Sequence, residues 1–114
     1  YAESVIEAVA RGGAVVPCLF WFEARNVLVV NERRGRLKLE TTVTFLEALE
    51  DLPFEVEGLP ADPAVLDVAR RYGLSVYDAA YLELTIRRKL PLATLDRKLQ
   101  NAATAAGVTL YRPL

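Results

Sequence analysis

The sequence contains no histidine and no methionine, and its single cysteine is Cys18. Without histidine, the chain cannot build a Ser-His-Asp or Cys-His catalytic site, a histidine-ligated zinc site or an imidazole acid-base catalyst. One cysteine excludes a disulfide within the chain and a thiolate metal cluster built from this chain alone. Any hydrolytic chemistry must therefore depend on carboxylates, whose hard oxygen atoms suit Mg²⁺ or Mn²⁺ better than zinc.

The sequence also lacks an apolar run long enough to cross a membrane, and it shows no signal peptide. Its 114 residues are 53% hydrophobic and 25% charged, which is enough apolar material to bury a core. We therefore expect one globular domain over residues 1–114, located in the cytoplasm and without a membrane partner.

A strong excess of positive charge is absent as well, since the net charge is −1. This balance is not typical of a non-specific nucleic-acid binder. The charge is uneven along the chain, however, because residues 33–38 and 87–89 form two short basic clusters. Each cluster fits either a site for a polyanion or a solvated helix end, where cations complement the helix dipole.

Short apolar segments alternate with segments of helical periodicity along the chain. The pattern predicts helices over residues 1–11, 18–34, 41–51, 62–72, 76–89 and 96–106, and strands over 14–16, 53–57, 90–94 and 108–111. Asp62 is expected to cap the fourth helix, with proline at its first position. This alternation predicts an α/β fold with a mainly parallel sheet covered by helices on both faces. Such sheets bind ligands beyond the carboxyl ends of their strands.

Asp78 lies in the first turn of the helix predicted to begin at Val76. Ser75 precedes it by three residues, which is the pattern of a helix start in which a hydroxyl caps the backbone and an acid lies near the positive end of the dipole. A structural role in the helix start and a role in chemistry are both compatible with this position.

Two further acids occupy comparable places. Glu23, followed by Asn26, interrupts an apolar helix among residues that include Leu19, Val27 and Val30, which we expect to be buried. Glu23 either pairs with an arginine or reaches the rim of the core, or it binds a metal ion at a cleft. The third acid, Asp96, directly follows a predicted strand. If the three carboxylates converge, a divalent cation would relieve their mutual repulsion.

The stretches 16–37, 73–84 and 90–99 resemble, in the correct order, the second, third and fourth acidic motifs of PIN-domain ribonucleases. The likeness is to the VapC type, the toxin half of a bacterial toxin–antitoxin pair, and it extends over nearly the whole chain. It implies a three-layer α/β/α fold.

The resemblance also implies an activity and a set of site residues. Glu23, Asp78 and Asp96 correspond to catalytic metal ligands for Mg²⁺ or Mn²⁺. Asn26 and Thr94 correspond to residues that orient these ligands without binding the metal themselves. The implied activity is endonucleolytic hydrolysis of RNA by a homodimer, which a cognate antitoxin protein neutralises. No residue here matches the aspartate that ends the family's first central strand, because Tyr1 already corresponds to the helix after it. We therefore expect an N-terminally incomplete domain.

Two alternatives remain open at this stage. The first is a PIN-like module that no longer cleaves RNA and serves only to bind an antitoxin or another protein. The second is another doubly wound domain, such as a phosphoacceptor receiver, in which clustered acids also hold Mg²⁺. A receiver requires a lysine after a late strand, and neither Lys89 nor Lys98 is placed in this way.

Overall fold

The computed structural model describes residues 1–113, without the side chain of residue 2. In this part of the chain the elements are α1 (Ala2–Gly12), β1 (Ala14–Pro17), α2 (Leu19–Arg33), α3 (Leu39–Glu50), β2 (Phe54–Glu57), α4 (Asp62–Tyr72), α5 (Val76–Arg88) and α6 (Arg97–Ala105). The predicted helices and the first two predicted strands are therefore confirmed, with ends that differ by one or two residues. None of these helices has the length and apolar character that crossing a bilayer requires.

Strands β1 and β2 form a parallel two-stranded sheet. Ala14 lies opposite Phe54, and Pro17 lies opposite Glu57. Parallel neighbours require a long crossover connection, which α2 and α3 provide here. The α/β architecture with parallel pairing is thus confirmed.

The two later strands are much shorter than predicted. Residues 90–94 and 108–111 meet in a single parallel bridge between Leu92 and Leu110. The Leu92 N–H donates to the Thr109 carbonyl at 2.9 Å, and the Tyr111 N–H donates to the Leu92 carbonyl at 2.8 Å. The Leu90 N–H, which would be next in this ladder, instead donates to the Thr85 carbonyl of α5 at 3.1 Å, which is one physical reason for the short pairing.

Helix α5 lies at the centre of the hydrophobic core. Leu82 and Ala79 have no exposed surface, and α4, α6 and β1 pack around this helix. Small residues on α5 and α6 allow the helices to approach closely. The buried cluster consists of Val65, Val68, Leu74, Ala79, Ala80, Leu82, Leu92, Leu99, Ala102 and Ala103.

Helices α2 and α3 are much more exposed than α5. Within the described chain, Leu28 is the buried residue of α2, and α3 has none. The prediction that Val27 is buried is wrong, since 58% of its surface is exposed. Apolar residues occur on most sides of α2, so its periodicity does not identify which side faces the core.

The start of α4 also differs from the prediction. Ala61 occupies the cap position and Asp62 is the first helical residue, with no side-chain capping bond. The Asp62 carboxylate therefore lies near the positive end of the helix dipole. It does not accept a hydrogen bond from the free backbone N–H groups of the first turn. The helix ends as predicted at Gly73, whose φ of 63° lies in the left-handed region that glycine adopts without strain.

Substitution of Leu82 by alanine tests the central position of α5. Leu82→Ala removes fully buried methyl groups and leaves a cavity, so we expect a loss of about 2–5 kcal/mol in the free energy of unfolding. Urea denaturation followed by circular dichroism measures this loss. Leu59→Ala is the matched control, because Leu59 is 88% exposed and should change stability by less than about 0.5 kcal/mol. Equal effects of both substitutions would contradict the packing described above.

Candidate active site

Ser75 caps the start of α5. Its Oγ accepts a hydrogen bond from the Asp78 N–H at 3.1 Å, as the sequence pattern predicts. Asp78 is partly buried in the first turn of the helix. The cap thus uses the backbone of Asp78 and the side chain of Ser75. It does not use the Asp78 carboxylate, so both roles considered for this position are compatible.

Tyr81 lies one turn after Asp78 on the same side of α5. Its hydroxyl donates a hydrogen bond to Oε1 of Glu23, which belongs to α2. Burial raises the pKa of Tyr81 strongly, and the hydrogen bond to Glu23 and the charges of Glu23 and Asp78 add to the increase. The hydroxyl therefore remains protonated and acts as a donor over the physiological pH range.

Glu23 is exposed at the surface, although the sequence suggested a position in or beside the core. Asn26, three residues later, is exposed as well. The ion pairs described for residues 1–113 do not include Glu23, so the alternative of pairing with an arginine is not observed. The partner of Glu23 in this structure is the hydroxyl of Tyr81.

Asp96 caps α6, and its Oδ1 accepts a hydrogen bond from the Leu99 N–H at 2.8 Å. Thr94 supports this turn, because its Oγ1 accepts from the Asp96 N–H at 3.1 Å. The hydrogen bonds described for residues 1–113 thus join Thr94 to the backbone of Asp96 and not to its carboxylate. One oxygen of that carboxylate is engaged in the cap.

The described residues do not assemble three or more acids into a group that could hold a metal ion by itself. The structure instead joins Glu23 to the helix that carries Asp78, through the hydroxyl of Tyr81 one turn after Asp78. Mg²⁺ in proteins is often held by one or two carboxylates, with water and substrate phosphates completing its shell. The donor chemistry of this pair fits a hydrated ion of that kind, and the position of Asp96 as a third ligand remains a prediction.

The basic cluster at residues 87–89 belongs to a network of ion pairs with β2. Arg88 contacts Glu55 at 2.7 Å and Glu57 at 3.0 Å. Arg87 contacts Glu57 and the buried Glu83, each at 2.8 Å. These arginines therefore join α5 to β2. This role is neither of the two considered from the sequence, a site for a polyanion or a solvated helix end.

The basic cluster at residues 33–38 has a different environment. Arg33 lies in the last turn of α2, and Arg34, Arg36 and Lys38 follow it in the connection to α3. All four side chains are exposed, and the ion pairs described for residues 1–113 do not include them. This surface is open to a polyanion.

The comparisons with known proteins agree with this architecture. The sequence profile of the PIN domain matches residues 1–105. The chain belongs to the PIN domain family. Its structure is similar to the crystal structure of PAE2754 from Pyrobaculum aerophilum, with a TM-score of 0.72 and 29% sequence identity over 88% of this chain and 67% of that chain. No curated protein sequence gives a significant match.

Membership of the PIN family defines the coarse class of this protein. PIN domains are in general metal-dependent nucleases, so the fold is of a nuclease type. The alternative of a phosphoacceptor receiver is thereby wrong. Glu23, Asp78 and Asp96 all lie within the matched residues of the PIN domain.

Tyr81 is the residue of this site that the sequence reading missed. Two signals point to it in retrospect. It stands three residues after Asp78 on a helix, which places both side chains on one face. A tyrosine in an otherwise apolar helix also needs a partner for its hydroxyl when the ring is buried. Neither signal identifies Glu23 as that partner, because the two residues are 58 positions apart.

The ion pairs of the PIN domain lead to a prediction about pH. The Arg88 guanidinium hydrogen-bonds to Glu55 and holds the pKa of that carboxyl below its ordinary value. A lowered pKa in the folded state contributes stability above the unfolded pKa, which is lost as the pH falls through the folded pKa. We expect Arg88→Gln to raise the Glu55 pKa towards its ordinary value, as measured by NMR titration of the carboxyl carbon.

The same variant should also lose part of its acid sensitivity. Between pH 5 and pH 3, the fall in melting temperature should be smaller in Arg88→Gln than in the unmodified protein. Arg70→Gln is the matched control, because Arg70 is an exposed arginine near the end of α4 and lies outside the ion pairs described. A Glu55 pKa that does not move in Arg88→Gln would show that the pairing is absent in solution.

Proposed function

We propose that this PIN domain is a Mg²⁺- or Mn²⁺-dependent endoribonuclease that cleaves structured RNA. The observation that carries the proposal is the hydrogen bond to Glu23 of α2 from Tyr81, which lies one turn after Asp78 on α5, with neither acid among the ion pairs described for residues 1–113. Glu23, Asp78 and Asp96 would hold a divalent cation, which would supply Lewis-acid stabilisation of the phosphodiester and lower the pKa of a bound water.

The residues of the chain have distinct roles in this proposal. Glu23, Asp78 and Asp96 are the catalytic and metal-binding acids. Ser75 fixes the first turn of α5 and so the direction of Asp78. Thr94 accepts a hydrogen bond from the Asp96 N–H, and this bond supports assigning it a positioning role for Asp96. Asn26 is assigned a supporting role beside Glu23 by the resemblance alone.

The exposed cluster at residues 33–38 supports RNA as the substrate. It supplies four cations at the end of α2 and in the connection to α3, and backbone phosphates are the groups that such cations bind without base specificity. The net charge of −1 means that this attraction is local and does not arise from the whole molecule.

Toxicity, neutralisation by a cognate antitoxin and assembly into a homodimer are proposals that come from the resemblance to VapC-type toxins. Exposed apolar side chains on α2 and α3 support a protein partner of some kind. Phe22, Val27, Leu39 and Val43 are each at least 55% exposed. Phe20, in contrast, packs against Phe54 of β2 with ring centroids 5.2 Å apart. The aromatic segment of α2 therefore faces both the core and the surface.

A second candidate function is a PIN domain that binds a protein partner without cleaving RNA. The absence of a three-acid group among residues 1–113 favours this candidate. It predicts partner binding that is unchanged in Asp78→Asn and Asp96→Asn, together with no metal-dependent cleavage.

An RNA cleavage assay distinguishes these candidates. We expect the chain to cut a structured RNA in Mn²⁺, to be inactive in EDTA, and to lose activity by on the order of 100-fold or more in Asp78→Asn, because a ligand to the cation is removed. Asp67→Asn is the matched control. Asp67 is an exposed acid on α4 that contacts Arg71 at 3.7 Å, so its loss should leave the cleavage rate within about twofold.

Two outcomes would contradict the nuclease. Cleavage that persists at full rate in both EDTA and Asp78→Asn would come from chemistry other than the proposed site. A complete lack of cleavage, combined with partner binding that survives Asp78→Asn and Asp96→Asn, would favour the binding module.

A further inference from the structure

We propose that Tyr81 is a positioning residue that holds the Glu23 carboxylate in place for the divalent cation. This inference rests on the nuclease function proposed above and adds a residue to its site. Tyr81 donates its hydroxyl hydrogen to Oε1 of Glu23, across 58 positions of sequence. Oε2 of Glu23 takes part in none of the side-chain hydrogen bonds described for residues 1–113, so it would be left for the cation.

Tyr81 stands on α5, the helix with the most buried residues in the described chain. Its ring packs against the buried cluster of the core, and its neighbours Ala80 and Leu82 are buried. Asp78 lies on the same helix one turn earlier. The positions of the Tyr81 hydroxyl and of Asp78 relative to each other are therefore set by one packed helix.

Glu23 stands on a much more exposed helix. Leu28 is the buried residue of α2 in the described chain, and the Glu23 side chain itself is exposed. A free glutamate side chain at the surface samples several rotamers, and ordering it costs entropy. Among the side-chain hydrogen bonds described for residues 1–113, the one from Tyr81 to Glu23 joins α2 to α5. It orders the carboxylate before any ion arrives.

The chemistry of a tyrosine hydroxyl suits this task. It donates one hydrogen to one carboxylate oxygen and carries no charge, so it orients Glu23 without neutralising it. A lysine or arginine in the same place would compete with the cation for the carboxylate. Partners that hydrogen-bond a metal ligand from behind typically change metal affinity by about 10–100-fold when they are removed.

Direct measurement of Mn²⁺ binding by electron paramagnetic resonance tests this role without relying on activity. We expect Tyr81→Phe to bind Mn²⁺ at least about 10-fold more weakly than the unmodified chain. Tyr72→Phe is the matched control, because the Tyr72 ring is also partly buried against the core cluster, and the described hydrogen bonds give its hydroxyl no partner. Its Mn²⁺ affinity should change by less than about twofold.

Two further measurements separate positioning from a loss of folding. The melting temperature of each variant in EDTA shows whether the metal-free fold is intact. The double variant Glu23→Gln with Tyr81→Phe should bind Mn²⁺ within about twofold of Glu23→Gln alone, since Tyr81 acts through Glu23. A merely structural tyrosine would weaken binding equally in both backgrounds.

The outcomes distinguish this inference from the function on which it rests. If Asp78→Asn weakens Mn²⁺ binding and Tyr81→Phe does not, the role of Tyr81 is overturned while the metal site stands. If Tyr81→Phe weakens binding by the same factor in the presence and in the absence of the Glu23 carboxylate, positioning is likewise overturned. If the unmodified chain binds no Mn²⁺ at millimolar concentration, both the inference and the proposed metal site fail.

Discussion

The burial of helix α5 is the constraint on which the rest of the molecule depends. Leu82 and Ala79 are inaccessible to solvent, and α4, α6 and β1 pack around this one helix. Close packing makes such a helix resistant to displacement. Because Ser75, Asp78 and Tyr81 all lie at its start or in its first two turns, the same packing that stabilises the fold also fixes the candidate active site.

Charges at the two ends of α5 have different partners. At its C-terminal end, Arg87 and Arg88 pair with Glu55, Glu57 and Glu83, so cations and anions there compensate one another. At its N-terminal end, Asp78 lies one turn before Tyr81, which bonds to Glu23, and the ion pairs described for residues 1–113 bring no arginine or lysine to these acids. Glu23 and Asp78 thus keep carboxylate oxygens of the kind that divalent cations bind, close to the start of α5.

Membership of the PIN family and the geometry of the site both concern the class of this protein. The family shows a nuclease-type fold, and the structure adds a hydrogen bond to Glu23 from Tyr81, on the helix that carries Asp78. Metal dependence, the RNA substrate and the toxin role are proposals that build on both. The exposed apolar surface of α2 and α3 is a separate feature, and it concerns partners more than chemistry.

The sequence by itself determined the features that depend on neighbours within three or four positions. Gly73 correctly predicted the end of α4, and Ser75 correctly predicted the start of α5. The lack of histidine limited the possible hydrolytic chemistry to carboxylates. The tertiary structure alone decided the exposure of Glu23, its bond with Tyr81 and the reduction of two predicted strands to the Leu92–Leu110 bridge. The reason is physical: caps and turns are local, whereas burial and pairing depend on which distant segments meet.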